Sequence, residues 1–437
     1  VGLLALASCV SGCLRDVNAC AVDGDCAATL VCAQGECVPG AVGPGADAGG
    51  ADVGGADAGA PDVAQGDADA ADAPCCVLAR GAFAGPADIT ISSDGVVHAA
   101  VVDVQGDAVA VFSFDAPGEE VNRADFALGP AGLSSVSLAS DGEGGAILAF
   151  EDIGSRRLVA AETADGETWG DPEDALMPPT GPTASHQHAS LSPWMSSYGV
   201  VALEVTEEDN ELDTNYGVVP VFGRTGIPGA NPTRLGGRAD VEFAVLNTAL
   251  TRTGDGLLAL WSYDGGSVQG VLLDGAGDLG APFDVREESA GESFSGGLRA
   301  APGSGASVWI TYAIYDEVGT YVEVASFDRE SGRVTALPRP ALPDGTVASE
   351  PALVAGGGGT VHLVYHALSA DDPDVSALTM ATWNGAMWSY EVLDPDTGGS
   401  LVALGVWDDA DDGVHVVYTH GAGVPEGGAL EYLWVAP

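Results

Sequence analysis

Lysine is absent from this 437-residue chain: all 14 basic residues are arginine, they face 64 acids, and the formal net charge is -50. Binding to phosphate backbones or anionic lipid needs clustered cations, so nucleic acid and an acidic membrane surface are not expected partners. Cysteine is absent after residue 76, although all eight fall within the first 76 residues, so the two portions are stabilised differently. Sustained helical periodicity is missing, which argues against an α-helical or α/β fold. A Gly-x-Ser-x-Gly elbow, a Walker loop and a dinucleotide fingerprint are missing too, which removes the sequence grounds for the commonest hydrolase, nucleotidase and dehydrogenase readings.

The chain opens with "VGLLALASCVSGCL", a short apolar run ending in small residues. It reads as the remnant of an export signal over residues 1–12 and is too short to span a bilayer. "VSGC" at 10–13 resembles the bacterial lipobox, which implies lipidation of Cys13, with Cys9 in "LASC" as the alternative. Neither cysteine is followed by aspartate, so the expected location is the outer membrane or cell surface of a Gram-negative bacterium, with the lipid as sole membrane contact.

Residues 13–37 form the next unit, in which Cys20, Cys26, Cys32 and Cys37 enclose too little chain for a hydrophobic core. Two disulfides are expected to staple it, and three pairings are open. The segment resembles the small cysteine-rich module that follows the lipobox in many secreted lipoproteins. The partners of the adjacent Cys75 and Cys76 are open as well. Residues 38–74 are almost wholly Ala, Gly, Asp, Pro and Val without one aromatic, a composition that cannot offset ordering entropy and reads as a disordered, acidic tether.

From residue 75 to 437 the texture changes to short β-branched runs parted by "DG", "GG", "PG" and "NG" turns. "VVHAAVVD", "AILAFED", "GVVALEVT", "LLALWSYD", "SVWITYAIYD", "TVHLVYH" and "GVHVVYTH" share one frame. Its aromatic positions Trp261, Tyr312, Tyr365 and Tyr418 are 51, 53 and 53 residues apart. Seven copies of about four strands predict an all-β fold, a seven-bladed β-propeller, with six blades as the alternative. The last copy ends after its third strand, and "CVLARGAF" at 76–83 is the expected missing outer strand, an arrangement that abolishes open edges.

His98, His362 and His415 occupy one blade position, filled elsewhere by Ile147, Leu258 and Trp309, so they read as packing. In "SHQHAS", His186 and His188 are expected on one side of an inner strand beside the axial channel, at a spacing that can bind a transition metal. Together with His366, His420 and the loop acids Asp371, Asp372 and Asp374 they define a candidate acidic binding face for cations, a basic protein or sugar hydroxyls. Calcium or a transition metal is the only cofactor class this suggests.

"TADGETW", Thr163 to Trp169, resembles the Asp-box of sialidase-like propellers, with Thr163, Asp165, Gly166, Thr168 and Trp169 in the motif roles and one residue fewer between Asp165 and Trp169. Degenerate echoes stand at "SFDAPG", "SFDRESG" and "TWNGAMW". The resemblance implies that the box is a structural turn whose Asp satisfies backbone amides and whose Trp packs between blades. The family's Arg-Ile-Pro motif and arginine triad are not recognisable, so no catalytic residue is assigned. The expected function is a non-catalytic recognition module for a glycan or protein on an exported lipoprotein; the alternative is a secreted glycan-active hydrolase.

Overall fold

Valine, alanine and aromatic residues dominate the seven repeats, and such side chains pack well on a pleated surface. Asp and Gly at the turns return the chain after each run. A computed structural model of the chain shows the result as seven four-stranded antiparallel sheets arranged in a ring. Described are two short strands at 30–33 and 36–39 and, from 75 to 435, the strands and most turns; residues 1–29, 34–35, 40–74 and several loops, among them 129–134, 236–244, 370–374, 398–403 and 421–427, lie outside the description. The chain divides into Val1–Cys75 and Cys76–Pro437. In the first unit β1 (Leu30–Ala33) and β2 (Glu36–Pro39) form an antiparallel pair with Cys32 opposite Cys37 in the backbone register. Cys9, Cys13, Cys20 and Cys26 lie outside the described residues.

β3 (Cys75–Gly81) precedes the first blade, which is β4 (Phe83–Ile91), β5 (Val97–Asp103), β6 (Ala108–Phe114) and β7 (Asn122–Ala127). Blade 2 is β8 (Val136–Ser140), β9 (Ala146–Asp152), β10 (Arg157–Thr163) and β11 (Glu173–Asp174). Blade 3 is β12 (Ser185–Trp194), β13 (Ser197–Asn210), β14 (Asp213–Arg224) and β15 (Thr233–Arg234). Blade 4 is β16 (Val245–Thr253), β17 (Gly256–Tyr263), β18 (Val268–Leu273) and β19 (Phe283–Arg286). Blade 5 is β20 (Ser293–Pro302), β21 (Ser307–Tyr315), β22 (Thr320–Asp328) and β23 (Arg333–Ala336). Blade 6 is β24 (Thr346–Ala355), β25 (Val361–Ser369), β26 (Ser376–Trp383) and β27 (Trp388–Asp394). Blade 7 is β28 (Leu404–Asp409), β29 (Gly413–His420) and β30 (Gly428–Val435), and its fourth, outer strand is β3.

The expected closure therefore occurs, with the start and end of the propeller joined in one sheet. Each first strand touches the first strands of both neighbouring blades, and β28 touches β4. The ring has seven members and the six-bladed alternative falls away: the third copy, weakest in sequence, builds a complete sheet around β13.

The repeated aromatic position explains how sheets seal one another. Phe150 packs with Ala100 and Val102 of blade 1, Trp261 with Val201 and Leu203 of blade 3, and Tyr365 with Val322 and Val324 of blade 5. Second-strand side chains alternate between faces, so in these copies this position meets the preceding blade and its chain neighbours meet the following one. Trp261, Tyr365 and Phe150 are almost completely buried, each worth roughly 1.5–3 kcal/mol or more against exposure.

Candidate functional site

Inner strands leave one edge of backbone groups without a sheet partner, and this edge faces the axis. The propeller answers with side-chain oxygens that reach the next blade. Asp88 Oδ2 accepts from the backbone N–H of Leu138 at 2.8 Å, Ser137 Oγ from Leu191 at 3.0 Å, and Ser190 Oγ from Leu250 at 3.0 Å. Blades 1 to 4 are thus linked in sequence around the axis, which satisfies donors that would otherwise be costly to bury.

Register places several of these residues at one height. Asp88, Ser137, Ala249, Arg299, Ala352 and Gly405 stand opposite Ala100, Ala149, Leu260, Thr311, Val364 and Val417 on the adjacent second strands. The ring at this level carries one carboxylate and one guanidinium among small residues. Asp88, Ser137, Ala249, Arg299 and Ala352 line an axial cavity of about 320 Å³. Burial pushes the Asp88 carboxyl above its ordinary range, while Arg299 and the amides of Leu138 and Ile89 pull the other way. Among the described residues, Arg299 makes one long bond, from Nη1 to the carbonyl of Leu298 at 3.4 Å.

Five inner strands carry a register shift near this height, at Ala84/Ala87, Gln187/Ser190, Val245/Asn247, across Phe294 to Arg299, and at Ser349/Ala352. Such bulges bend a strand and re-aim its side chains. In blade 3 the bulge separates the two histidines expected on one side. His188 takes a left-handed φ of 51° and remains accessible, although protein surrounds it; burial and then the charge of Arg299 lower its pKa. Its carbonyl accepts the Thr248 hydroxyl. His186 is completely buried instead, with Nε2 4.0 Å from Glu204 Oε2, and Glu204 also takes Arg234 at 3.0 Å. Burial lowers the His186 pKa and Glu204 opposes it. The extra residues of the bulge break the period-two alternation on which a shared face depends.

His366 is buried as well, because β25 continues beyond it to Ser369. Burial lowers its pKa to about 3, with the charge of Asp394 opposing. His420 ends β29, partly exposed, with Nδ1 3.3 Å from Asp394 Oδ2. Asp371, Asp372 and Asp374 lie outside the described residues.

The repeated histidines are packed as their interchange with apolar residues suggests. His98 Nδ1 pairs with Ser113 Oγ at 2.9 Å, His362 Nδ1 with Thr382 Oγ1 at 3.0 Å, and His415 Nδ1 with the Tyr432 hydroxyl at 2.6 Å, each on the third strand of its own blade. His362 and His366 lie four apart on a strand, roughly 13 Å along it, too far to share one ion.

The Asp-box turn has the structural role that the resemblance implies. Asp165 Oδ1 accepts from the Thr168 amide at 2.8 Å, the Glu167 amide at 3.0 Å and Thr163 Oγ1 at 3.1 Å. Gly166 takes φ +71° with His98 Cε1 only 3.4 Å from where a Cβ would stand. Trp169 meets His98 and Phe126 of blade 1 edge-on. Asp328 and Asn384 cap the amides of Ser331, and of Ala386 and Met387, in the equivalent turns of blades 5 and 6. Asp274 does the same for Ala276 and Asp278 in blade 4, a turn without the motif's Trp. Sequence reading also missed Asp88 and the inter-blade serines, since single polar residues in apolar strands carry no pattern of their own.

No protein family matches the sequence, and no curated protein does. Among solved structures, an oligogalacturonate lyase in complex with manganese is similar at TM-score 0.52 and 13% identity, over 84% of this chain and 94% of that one. The polysaccharide lyase Uly1 is similar at TM-score 0.50 and 7% identity, over 82% of this chain and 91% of that one. The sialidase Hz136 follows at TM-score 0.42 and 10% identity, over 78% and 73% of the two chains. What this chain shares with the two lyases is the fold, a β-propeller.

Proposed function

We propose that the propeller is a saccharide-recognition module of an exported lipoprotein, and that its ligand enters the axial channel. The observation that carries this is Arg299. Its guanidinium lines a largely apolar channel and, among the described residues, makes one long bond, so most of its five donors are available to ligand oxygens. His188 lies close enough to feel its charge. A saccharide is also the class that both lyases act on, although that likeness extends to the fold alone.

The channel supports binding more than hydrolysis. Two-carboxylate hydrolysis needs an acid and a second carboxylate flanking the bond, and among the described residues lining the cavity Asp88 is the one carboxylate, already engaged with amides. The hydrolytic alternative has one observation in its favour. Burial, helped by Asp152, pushes the Glu151 carboxyl up to about 7, as a general acid requires; Glu151 is not among the residues lining the cavity. Export and lipidation at Cys13 belong to the same reading and are checked by metabolic labelling with a fatty acid and loss of label in Cys13→Ala.

A glycan array probed with the whole chain, followed by incubation of each bound glycan and mass spectrometry, separates the readings. Binding without cleavage, lost in Arg299→Ala, is the expected result. Cleavage abolished in Glu151→Gln would favour the alternative, and unchanged binding by Arg299→Ala would remove the channel from the account.

A further inference from the structure

Between blades 6 and 7, away from the axial cavity, Asp394, His420 and Glu431 bring two carboxylate oxygens and an imidazole nitrogen within 4.8 Å of one another. The Tyr418 hydroxyl lies 3.0 Å from Asp394 Oδ2 and 2.8 Å from Glu431 Oε2. His420 Nδ1 lies 3.3 Å from the same Asp394 oxygen, so two carboxylates, an imidazole and a phenol converge at one place.

A second, independent feature points to the same place. His366 is completely buried and neither ring nitrogen has a hydrogen-bond partner. Buried polar groups are rarely left so, and a bound ion is among the few physical reasons for one. Its direction follows from the sheet. Tyr365 packs against blade 5, so His366, its chain neighbour, faces blade 7. His366 pairs with Leu378 and Leu378 with Asp394, which sets His366 and Asp394 on one face, and the imidazole is close enough to feel the Asp394 charge. Tyr418 occupies the repeat position of Tyr365 and therefore faces blade 6. Glu431 pairs with it in register, and His420 stands two residues further on, on the same side.

We propose that Asp394, His420 and Glu431 bind one divalent transition-metal ion that clamps blade 6 to blade 7, with the buried His366 turned toward the same interface. Imidazole and carboxylate together suit zinc, manganese or iron, whereas calcium takes oxygen ligands only. The clamp would lie beside the blade that joins the two ends of the ring.

The test uses the whole chain, stripped with chelator and dialysed against zinc, manganese or calcium, with metal content measured by mass spectrometry and thermal unfolding followed by circular dichroism. One zinc or manganese ion per chain, a raised melting temperature, and affinity weakened by about tenfold or more in Glu431→Gln are expected. Glu431 and His420 are partly exposed, so His420→Gln supplies a second variant should the first fail to fold. The absence of a tight transition-metal ion in the folded protein overturns the proposal. So does binding that is unchanged in the folded variants, which would be diffuse association with the acidic surface. The outcome is independent of glycan binding.

Discussion

Asp88 of blade 1 and Leu138 of blade 2 are joined by a 2.8 Å bond from a backbone amide to a carboxylate oxygen. The two belong to different sheets, and the bond occupies an edge donor that no strand can reach. Ser137 and Ser190 repeat the device toward blades 3 and 4. Asp88→Ala should therefore destabilise the ring by about 1–3 kcal/mol, the usual cost of a buried amide left without its acceptor. Asp88→Asn, which keeps an acceptor oxygen, should cost less. Urea unfolding of the three proteins checks the order, and equal stability of Ala and wild type would show that the bond is dispensable.

Trp169 meets His98 and Phe126 of the neighbouring blade, whereas Asp165 holds only its own turn. Trp169→Ala should cost up to about 3 kcal/mol, since the ring is packed against blade 1 but only partly buried. Asp165→Ala should cost less, because the carboxylate is exposed and caps only its own turn. Neither substitution should alter glycan binding beyond its effect on the folded fraction, because the box is remote in role from the channel.

The outer strand of blade 7 comes from β3, Cys75–Gly81. Removing residues 1–74 should leave the melting temperature of the propeller unchanged. Removing residues 1–81 should lower it and promote self-association, since β30 then presents an unpaired edge. Differential scanning calorimetry and light scattering of the two truncations distinguish these results.

Burial lowers the His98 pKa to about 4, with Asp94 opposing, from an ordinary value of 6.5. Between those values the unfolded chain binds the extra proton, so stability rises with pH through the window. The contribution of the neutral imidazole is complete above 6.5 and is lost as pH falls toward 4, up to roughly 3 kcal/mol. Chemical denaturation at pH 7 and pH 4.5 should show a smaller acid loss in His98→Gln than in wild type. An identical slope in both would mean that His98 titrates normally.

Much of this architecture was legible because a period near fifty residues repeats one physical requirement. Trp261, Tyr312, Tyr365 and Tyr418 each seal a sheet against its predecessor, so the aromatic recurs where the ring needs it. The missing outer strand was legible by counting: three strands in the last copy and an orphan run ahead of the first. The site was less so. The period-two reading of "SHQHAS" put His186 and His188 together, and the bulge at Gln187/Ser190 parted them. His366 reads as a strand end, but β25 runs on to Ser369 and buries it.

The sequence by itself determined the all-β class, the sevenfold repeat, the closing strand and the turn role of the Asp-box, because each rests on neighbours in the chain or on a pattern repeated at fixed distance. Only the tertiary structure decided which polar groups meet across blades. Asp88 with Leu138 and Tyr418 with Asp394 are pairings between sheets, and Arg299 meets the axial cavity. Asp88 and Leu138 lie one repeat apart, but the residue at the Asp88 position changes from blade to blade, so nothing in the order of residues announces these meetings until the ring is closed.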